Sequence, residues 1–391
     1  MTRKSQKRTA RRKVREQEST VETSGILEVL PDGYGFLRSI DSSLSSRSDD
    51  VYVPRSVVRS FGLMTGCCLL GEAANAGNKL RLTKLHRVSG QTPEDFRSRA
   101  TFDSLTPQQP NRRLDLGSNE LSMRIVDLFT PIGKGQRGLI VSPPRAGKTV
   151  LIQQLAESIL SHHKECQVII LLIDERPEEV TEIEDLVENE ACEVFSSTFD
   201  QRPNNHVRLA KLVLERAKRL VELGEDVVIL LDSITRLTRA HNALSPASSK
   251  TTAGGLVMEA LVGPKEFFGS ARQLRDSGSL TILASALVDT GTRMDYVIFE
   301  EFKGTGNMEI HLSRDLVDRQ VWPAIDIRAS GTRRTELLVD AEENRRLMLL
   351  RKALSRLDPV QAMELVTDRV KKTDSNAEFL LSIASVDQLH N

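Results

Sequence analysis

The sequence predicts an α/β chain in which a phosphate-binding domain with a parallel sheet follows a small all-β domain and a basic tail. Three observations carry this prediction. The stretch GLIVSPPRAGKTVLIQQLAESIL, residues 138–160, passes from an apolar run through a tight turn into apolar residues at helical spacing. Apolar runs of strand length then alternate with helical patterns, as in a parallel sheet covered by helices. Residues 23–90 instead hold short strands separated by turn signals, as a small barrel does.

At 391 residues the chain has room for two or three domains, and 39% hydrophobic residues suffice for buried cores. Its 54 basic and 54 acidic residues cancel, so any nucleic-acid site must be a local cluster. The four cysteines, Cys67, Cys68, Cys166 and Cys192, lack metal-ligand spacing, and the chain reads as reduced and cytoplasmic. No apolar run reaches the ~18 residues of a membrane span, and no apolar core follows the charged first residues, so neither a membrane partner nor a signal peptide is expected.

Residues 1–22 form a polar tail that concentrates Arg3, Lys4, Lys7, Arg8, Arg11, Arg12, Lys13 and Arg15. Such a segment is expected to be disordered on its own, either as a solvated extension or as a non-specific phosphate-binding arm. In 23–90, residues 26–30 precede the turn Pro31-Asp32-Gly33, and 34–38, 51–53, 67–70 and 80–85 supply further strands. Tyr34, Phe36 and Arg38 alternate and so share one strand face. With Tyr52 they suit a platform for unpaired bases, a stacking typically worth ~1–3 kcal/mol per base. The other reading has Tyr34 and Phe36 filling the barrel interior. Gly33 and Gly35 allow close backbone approach. Residues 91–115, with Pro93, Pro107 and Pro110, read as a connector.

The domain at 116–391 carries the chemistry. Residues 168–173 make a buried strand ending in Asp174-Glu175-Arg176, and the apolar spacing of Val180, Ile183, Leu186 and Val187 marks a helix. A short strand begins at 194, an amphipathic helix covers 207–221, 227–231 make a strand closing on Asp232, and 280–287 a further one. The last fifty residues read as helices packed on the sheet.

Gly147-Lys148-Thr149 stands between strand and helix, the context a Walker A loop needs, although Ser142 replaces the Gly of the strict pattern. Backbone N–H groups there would cradle the phosphates of a nucleoside triphosphate, which makes Arg145, Ala146, Gly147, Lys148, Thr149 and Val150 the expected contacts. Lys148 would reach the β/γ-phosphates and Thr149 would hold Mg²⁺. Ligands of open α/β sheets lie at the carboxyl ends of strands. Asp232 there can hold the Mg²⁺ hydration shell or simply begin a turn, and Glu175 can polarise the attacking water. Arg176 could instead pair with Glu178 or Glu179.

LLIDERPEEVTE (171–182), LLDSITRL (230–237), FFGSAR (267–272), EEFKGTGNMEIHLSR (300–314) and AIDIRASGTRRTELL (324–338) resemble the bacterial transcription termination factor Rho family. GYGFLRS (33–39) resembles its RNA-binding domain and the cold-shock and OB-fold surface. The resemblance implies a homohexameric ring with a RecA-like ATPase domain. It implies an ATP-driven RNA translocase and RNA–DNA helicase that binds single-stranded RNA and releases transcripts, with RNA polymerase and elongation factors as further partners. It implies roles as well. Glu175 is similar to the catalytic glutamate, Asp232 to the Walker B aspartate and Arg176 to an arginine near the site. Arg333 looks like the arginine finger that reaches the neighbouring subunit's ATP. Trp322, the single Trp, falls where an aromatic stacks on adenine; the other reading is a plain core residue. Residues 246–255, with Lys250, and 289–295, with Arg293, resemble the two RNA loops of the central pore.

The chain departs from the family pattern in places. A basic tail stands in place of a helical N-terminal subdomain. An acidic-basic-aromatic trio is lacking around Asn78-Lys79-Leu80. Thr251-Thr252-Ala253 differs from the usual pore loop, and Arg145 and Arg293 stand where Lys is common. Two other readings compete. A rotary-type or secretion-system ATPase subunit shares the phosphate loop and the ring but lacks the YGF face. A passive RNA-binding protein would have no use for Lys148, Thr149, Glu175, Asp232 and Arg333 together.

Overall fold

Alternating apolar residues in the first hundred positions wind into a closed five-stranded barrel. The computed structural model describes residues 20–41, 43–77, 79–117, 120–186, 191–246, 250–252 and 254–383. The expected tail at 1–19, Asn78, Val187 and residues 247–249 and 253 lie outside the described residues. The chain divides into two units, Met1–Arg99 and Ala100–Asn391.

In the first unit β1 (Val21–Val29), β2 (Gly35–Arg38), β3 (Val51–Val53), β4 (Cys68–Ala76) and β5 (Lys79–Val88) close in the order β1-β2-β3-β5-β4. Helix α1 (Arg55–Ser60) follows β3, and β1 begins inside the stretch assigned to the tail. Ile26, Leu27, Leu37, Val53, Leu69, Leu82 and Val88 are buried and form the barrel core. Glycine permits the closure. A Cβ at Gly35 would lie 2.7 Å from the Glu28 carbonyl oxygen across the β1–β2 pair, and the turn before it needs Gly33 at φ +84°.

The stretch expected as a connector holds several elements, because its Thr and Pro residues start helices as readily as they end them. Thr92 caps α2 (Pro93–Ser98) by accepting the Asp95 N–H, and Phe96 is buried. Phe102 opens a single 3₁₀ turn in the second unit; it is buried, and its N–H donates to Glu222. Two short strands follow, β6 (Pro107–Gln108) and β7 (Arg113–Leu114), the latter paired with β8 (Ile132–Gly133) after α3 (Leu121–Phe129).

The second unit continues through β9 (Arg137–Ser142), α4 (Lys148–His162), β10 (Cys166–Ile173), α5 (Pro177–Leu186), β11 (Cys192–Ser197) and α6 (Pro203–Glu222). Next come β12 (Asp226–Asp232), α7 (Ile234–Ala243), α8 (Val262–Gly269), β13 (Arg272–Leu274), β14 (Ser279–Leu287) and α9 (Arg293–Lys303). The chain closes with β15 (Met308–His311), α10 (Arg314–Asp318), β16 (Gly331–Thr332), α11 (Ala341–Leu354), α12 (Pro359–Val370) and α13 (Asn376–Ser382).

The main path of the sheet runs β11-β10-β12-β14-β9-β15-β16. Its members from β11 to β15 are mutually parallel. Every residue of β12 is buried, as expected for a strand covered on both faces. This order places the ends of β10 and β12 side by side, with β14 between β12 and β9. Residues Asp340, Asp358 and Ser375 cap α11, α12 and α13 through their side chains, which fixes where the C-terminal helices begin.

Gly35→Ala should destabilise the barrel by about 1–3 kcal/mol, because the new methyl can be accommodated only by backbone movement. Hydrogen exchange of the full chain should speed up in β1 and β2 and stay unchanged in β10 and β12.

Candidate nucleotide site and RNA-facing surfaces

The turn after β9 is shaped by Gly147, which takes φ +86° as the N-cap of α4. Ser142, the departure from the strict motif, is buried, and its hydroxyl donates to the Pro143 carbonyl at 2.9 Å. Lys148, the first residue of α4, turns its ammonium inward. Its Nζ donates to Asp232 Oδ1 at 2.5 Å and to Glu175 Oε1 at 3.0 Å. Both carboxylates are nearly sealed, with Glu175 3% and Asp232 2% exposed. The structure thus brings together three residues picked out at separate strand ends.

Two further residues complete the cluster, and sequence reasoning missed both. Ser285 on β14 donates to Asp232 Oδ1 at 2.7 Å. Arg236 on α7 donates to Glu175 Oε2 at 3.3 Å and to Asp174 Oδ2 at 3.1 Å. A signal for Arg236 existed: it lies one helical turn beyond Asp232 on the helix that leaves the strand. Ser285 could be found only once β14 was known to neighbour β12. The loop that carries Glu175 is also held by backbone. Asp174 N–H donates to Ser197 at 2.7 Å, and Phe199 N–H donates to Glu175 at 3.0 Å.

Burial raises the Glu175 pKa above its ordinary value; the charge of Asp232 raises it further, and Lys148 and Arg236 only partly oppose the shift. For Lys148, burial pulls the pKa down, but Asp232 and Glu175 outweigh it and the net shift is upward. Lys148 is therefore a fixed cation between two acids at neutral pH.

The remaining expected contacts are distributed unevenly. Arg145 and Val150 are exposed, Ala146 is buried, and Thr149 lies between these extremes beside Lys148. Trp322 is not a core residue. It is 46% exposed and flanks the loop, so that a Cβ on Gly147 would lie 3.2 Å from its ring. Arg176 is exposed, and among the described residues it makes no ion pair with Glu178 or Glu179. Arg333 is exposed too, but far from Lys148 in its own chain. Its N–H donates to Asn307 beside the start of β9, whereas the loop leaves the other end of that strand. The strand rise puts roughly 16 Å between the two ends. No cluster of three or more metal-ligating side chains occurs among the described residues.

On the barrel, Tyr34, Phe36 and Tyr52 form one aromatic group with ring centroids 5.5–5.9 Å apart. They are half-buried and lie outside the core, so they do not fill the interior. Arg38 differs from expectation. It is 5% exposed, with its guanidinium tied to Glu28 and Asp50. A charge at that depth requires such partners, so Arg38 underpins the rings and does not offer a solvent-facing plane. Lys79, which the sequence did not single out, puts its ammonium 5.4 Å from the Phe36 ring centroid.

Lys250 and Arg293 are both exposed. Their loops meet: a Cβ on Gly254, at φ +113°, would lie 3.2 Å from Met294 N and 3.3 Å from the Arg293 carbonyl. Asp295 is buried and fixes the start of α9 by accepting from Arg239 at 2.5 Å and from Thr290 at 2.6 Å.

A phosphate loop facing two buried strand-end carboxylates, in one chain with an aromatic-faced barrel, defines a nucleotide-binding ATPase domain joined to an RNA-binding module. Family profiles agree: that of the ATP synthase alpha/beta family, nucleotide-binding domain, matches residues 122–332, and that of the Rho termination factor, RNA-binding domain, matches residues 23–94. The chain is 53% identical over 369 residues to transcription termination factor Rho of Rhodopirellula baltica, covering 93% of this chain and 72% of that protein. It is 50% identical over 372 residues to Rho of Aquifex aeolicus, covering 93% and 85%. The chain belongs to the transcription termination factor Rho family.

Among solved structures, an ATPase of the type III secretion system aligns with TM-score 0.59 at 22% identity over 73% of this chain and 87% of that one. The ATP synthase subunit NeqB of Nanoarcheaum equitans aligns with TM-score 0.62 at 19% identity over 73% and 78%. These two share the fold. None of the described helices is long and apolar enough to cross a membrane.

Removing Arg236 takes away a cation that lowers the Glu175 pKa. Arg236→Ala should therefore raise that pKa further and move the acid limb of ATP hydrolysis to higher pH. A kcat–pH profile checks the direction.

Proposed function

We propose that the chain is an RNA-stimulated ATPase that translocates on single-stranded RNA, unwinds RNA–DNA hybrids and terminates transcription as a cytoplasmic homohexamer. The observation that carries this reading is the pairing of Lys148 with Glu175 and Asp232 at one end of the sheet, with Arg333 at the other. This arrangement keeps Arg333 away from its own chain's loop and supports a role in a neighbour's site, with head-to-tail contacts closing into a ring.

In this mechanism the N–H groups at 145–150 hold the phosphates of ATP, and Lys148 exchanges its carboxylate partners for the β/γ-phosphates. Thr149 and Asp232 suit Mg²⁺, which usually takes one or two protein groups and completes its shell with water and phosphate. Mg²⁺, when bound, neutralises charge on the phosphates. Glu175, its pKa raised above its ordinary value by burial, orients and polarises the attacking water, with Arg236 fixing the carboxylate. Arg176 lies next to that carboxylate in sequence and supplies positive charge at the rim. Trp322 stacks on adenine beside Gly147. Arg333 of the adjacent subunit completes the site.

Tyr34, Phe36 and Tyr52, backed by Arg38, capture unpaired bases of nascent RNA. Lys250 and Arg293 grip the backbone in the pore, and the basic tail adds phosphate contacts. RNA polymerase and elongation factors are the further partners.

Hydrolysis rates without nucleic acid and with poly(C), poly(A) and single-stranded DNA test this reading. Strong stimulation by RNA supports it, whereas rates indifferent to RNA would point to a rotary-type ATPase subunit. Lys148→Ala should abolish the stimulated rate and leave RNA capture by the barrel intact. Glu175→Gln hydrolysing at the parental rate would overturn the assignment of Glu175. Mixing inactive Lys148→Ala and Arg333→Ala chains should restore activity, since random assembly leaves about one interface in four with both groups intact. No recovery on mixing would sink the shared site.

A further inference from the structure

The chain has three tyrosines. Two lie on the barrel, and the third, Tyr296, occupies the first turn of α9, where it is 62% exposed. On this helix Asp295, Ile298, Phe299 and Phe302 face inward. Arg293, Tyr296 and Glu300 recur at spacings of three and four, so they share the solvent-facing side. Tyr296 makes no hydrogen bond, ring stack or cation contact among the described residues, so it has no visible structural task. The segment that leads into the helix is polar and small: Thr290, Gly291 and Thr292 precede Arg293.

The position is rigid. Asp295, 1% exposed, ties the first turn of α9 to Arg239 and Thr290. On the other side the backbone of Arg293 and Met294 packs against Gly254. A guanidinium and an unengaged phenol ring are therefore presented side by side from a fixed helix turn. That pairing suits one nucleotide step of a single strand, with phosphate on the cation and base on the ring.

We infer that Tyr296 is a base-stacking contact for single-stranded RNA, so that the second loop holds a base face as well as a phosphate. The inference rests on the reading of residues 289–295 as an RNA loop and extends it to an aromatic contact beyond that loop. Its consequence is a dependence on the presence of bases that pure backbone gripping would lack.

The test uses the full-length protein and measures the RNA concentration that half-saturates ATP hydrolysis. All chains carry Phe36→Ala to weaken the barrel platform. The probes are oligo(A) and an abasic ribose-phosphate oligomer of equal length. Tyr296→Ala should raise the oligo(A) value about tenfold and leave the abasic value unchanged, so that the two converge. Tyr296→Phe should keep the preference for oligo(A), because stacking needs the ring and not the hydroxyl. Arg293→Ala should weaken both probes alike and flatten their salt dependence.

If Tyr296→Ala matches its parent while Arg293→Ala weakens binding, the stacking inference fails and the loop assignment stands. If Arg293→Ala is also without effect, the loop assignment itself fails. Equal losses for Tyr296→Ala and Tyr296→Phe would identify a hydroxyl contact and overturn stacking. Loss of assembly in Tyr296→Ala by sedimentation would identify a subunit contact and overturn it as well.

Discussion

Two carboxylates almost wholly removed from water, Glu175 and Asp232, share a single ammonium, that of Lys148. Burying either charge alone would be strongly unfavourable, and breaking a buried pair typically costs on the order of 3–5 kcal/mol. The arrangement holds only if the ends of β9, β10 and β12 stay aligned, because each residue comes from a different strand end. The packing of a sheet buried on both faces secures that alignment. Local devices refine it: Ser285 reaches Asp232 from the strand between, and Arg236 reaches Glu175 from α7. The sheet thus places the charges, and the charges in turn favour one arrangement of its ends.

The same cluster suits the phosphate site proposed for it. Lys148 is already dehydrated and already aimed at negative charge, so a phosphate group competes for a cation that is in place. When that cation moves, Glu175 and Asp232 lose their main neutralising partner, and Arg236 becomes the principal positive group beside Glu175. Helix α7 (Ile234–Ala243) carries two links. Arg236 touches the nucleotide site, and three residues on, Arg239 holds Asp295 at the foot of α9. A small displacement of α7 would therefore be felt at the carboxylates and at the second loop together.

Much of this was legible in the sequence because parallel sheets obey a positional rule. Ligand groups of such sheets gather at carboxyl ends, so Lys148, Glu175 and Asp232 could be picked out as one candidate cluster from three strand-length apolar runs. Strand order could not be read the same way, and Ser285 depends on strand order. Arg38 shows a second limit. Alternation assigns a residue to a face but not to a depth, and Glu28 and Asp50 draw Arg38 below the rings it was expected to extend. The stretch at 91–115 shows a third. Pro and Thr mark chain punctuation, yet here they open α2 and lead to a buried Phe102. Trp322 was ambiguous in sequence, because nothing there says which aromatic meets Gly147.

Aromatic residues show how a chain of zero net charge can address a polyanion. With long-range attraction absent in bulk, recognition has to come from short-range contacts at fixed places. Phenylalanine is used mainly as core, as at Phe96, Phe102, Phe129, Phe195, Phe268, Phe302 and Phe379, all fully buried. The tyrosines are not: Tyr34 and Tyr52 sit half-buried on the barrel, and Tyr296 stands in solvent beside Arg293. A phenol tolerates water at its rim and offers the same π-face to any base, so it suits the sequence-tolerant contacts proposed above. At the barrel Lys79 lies near the Phe36 ring, and on α9 Arg293 precedes Tyr296 by three residues on the same side of the helix. In the proposed reading, local charge orients the backbone while the rings hold the bases. That division of labour needs no net positive charge on the chain.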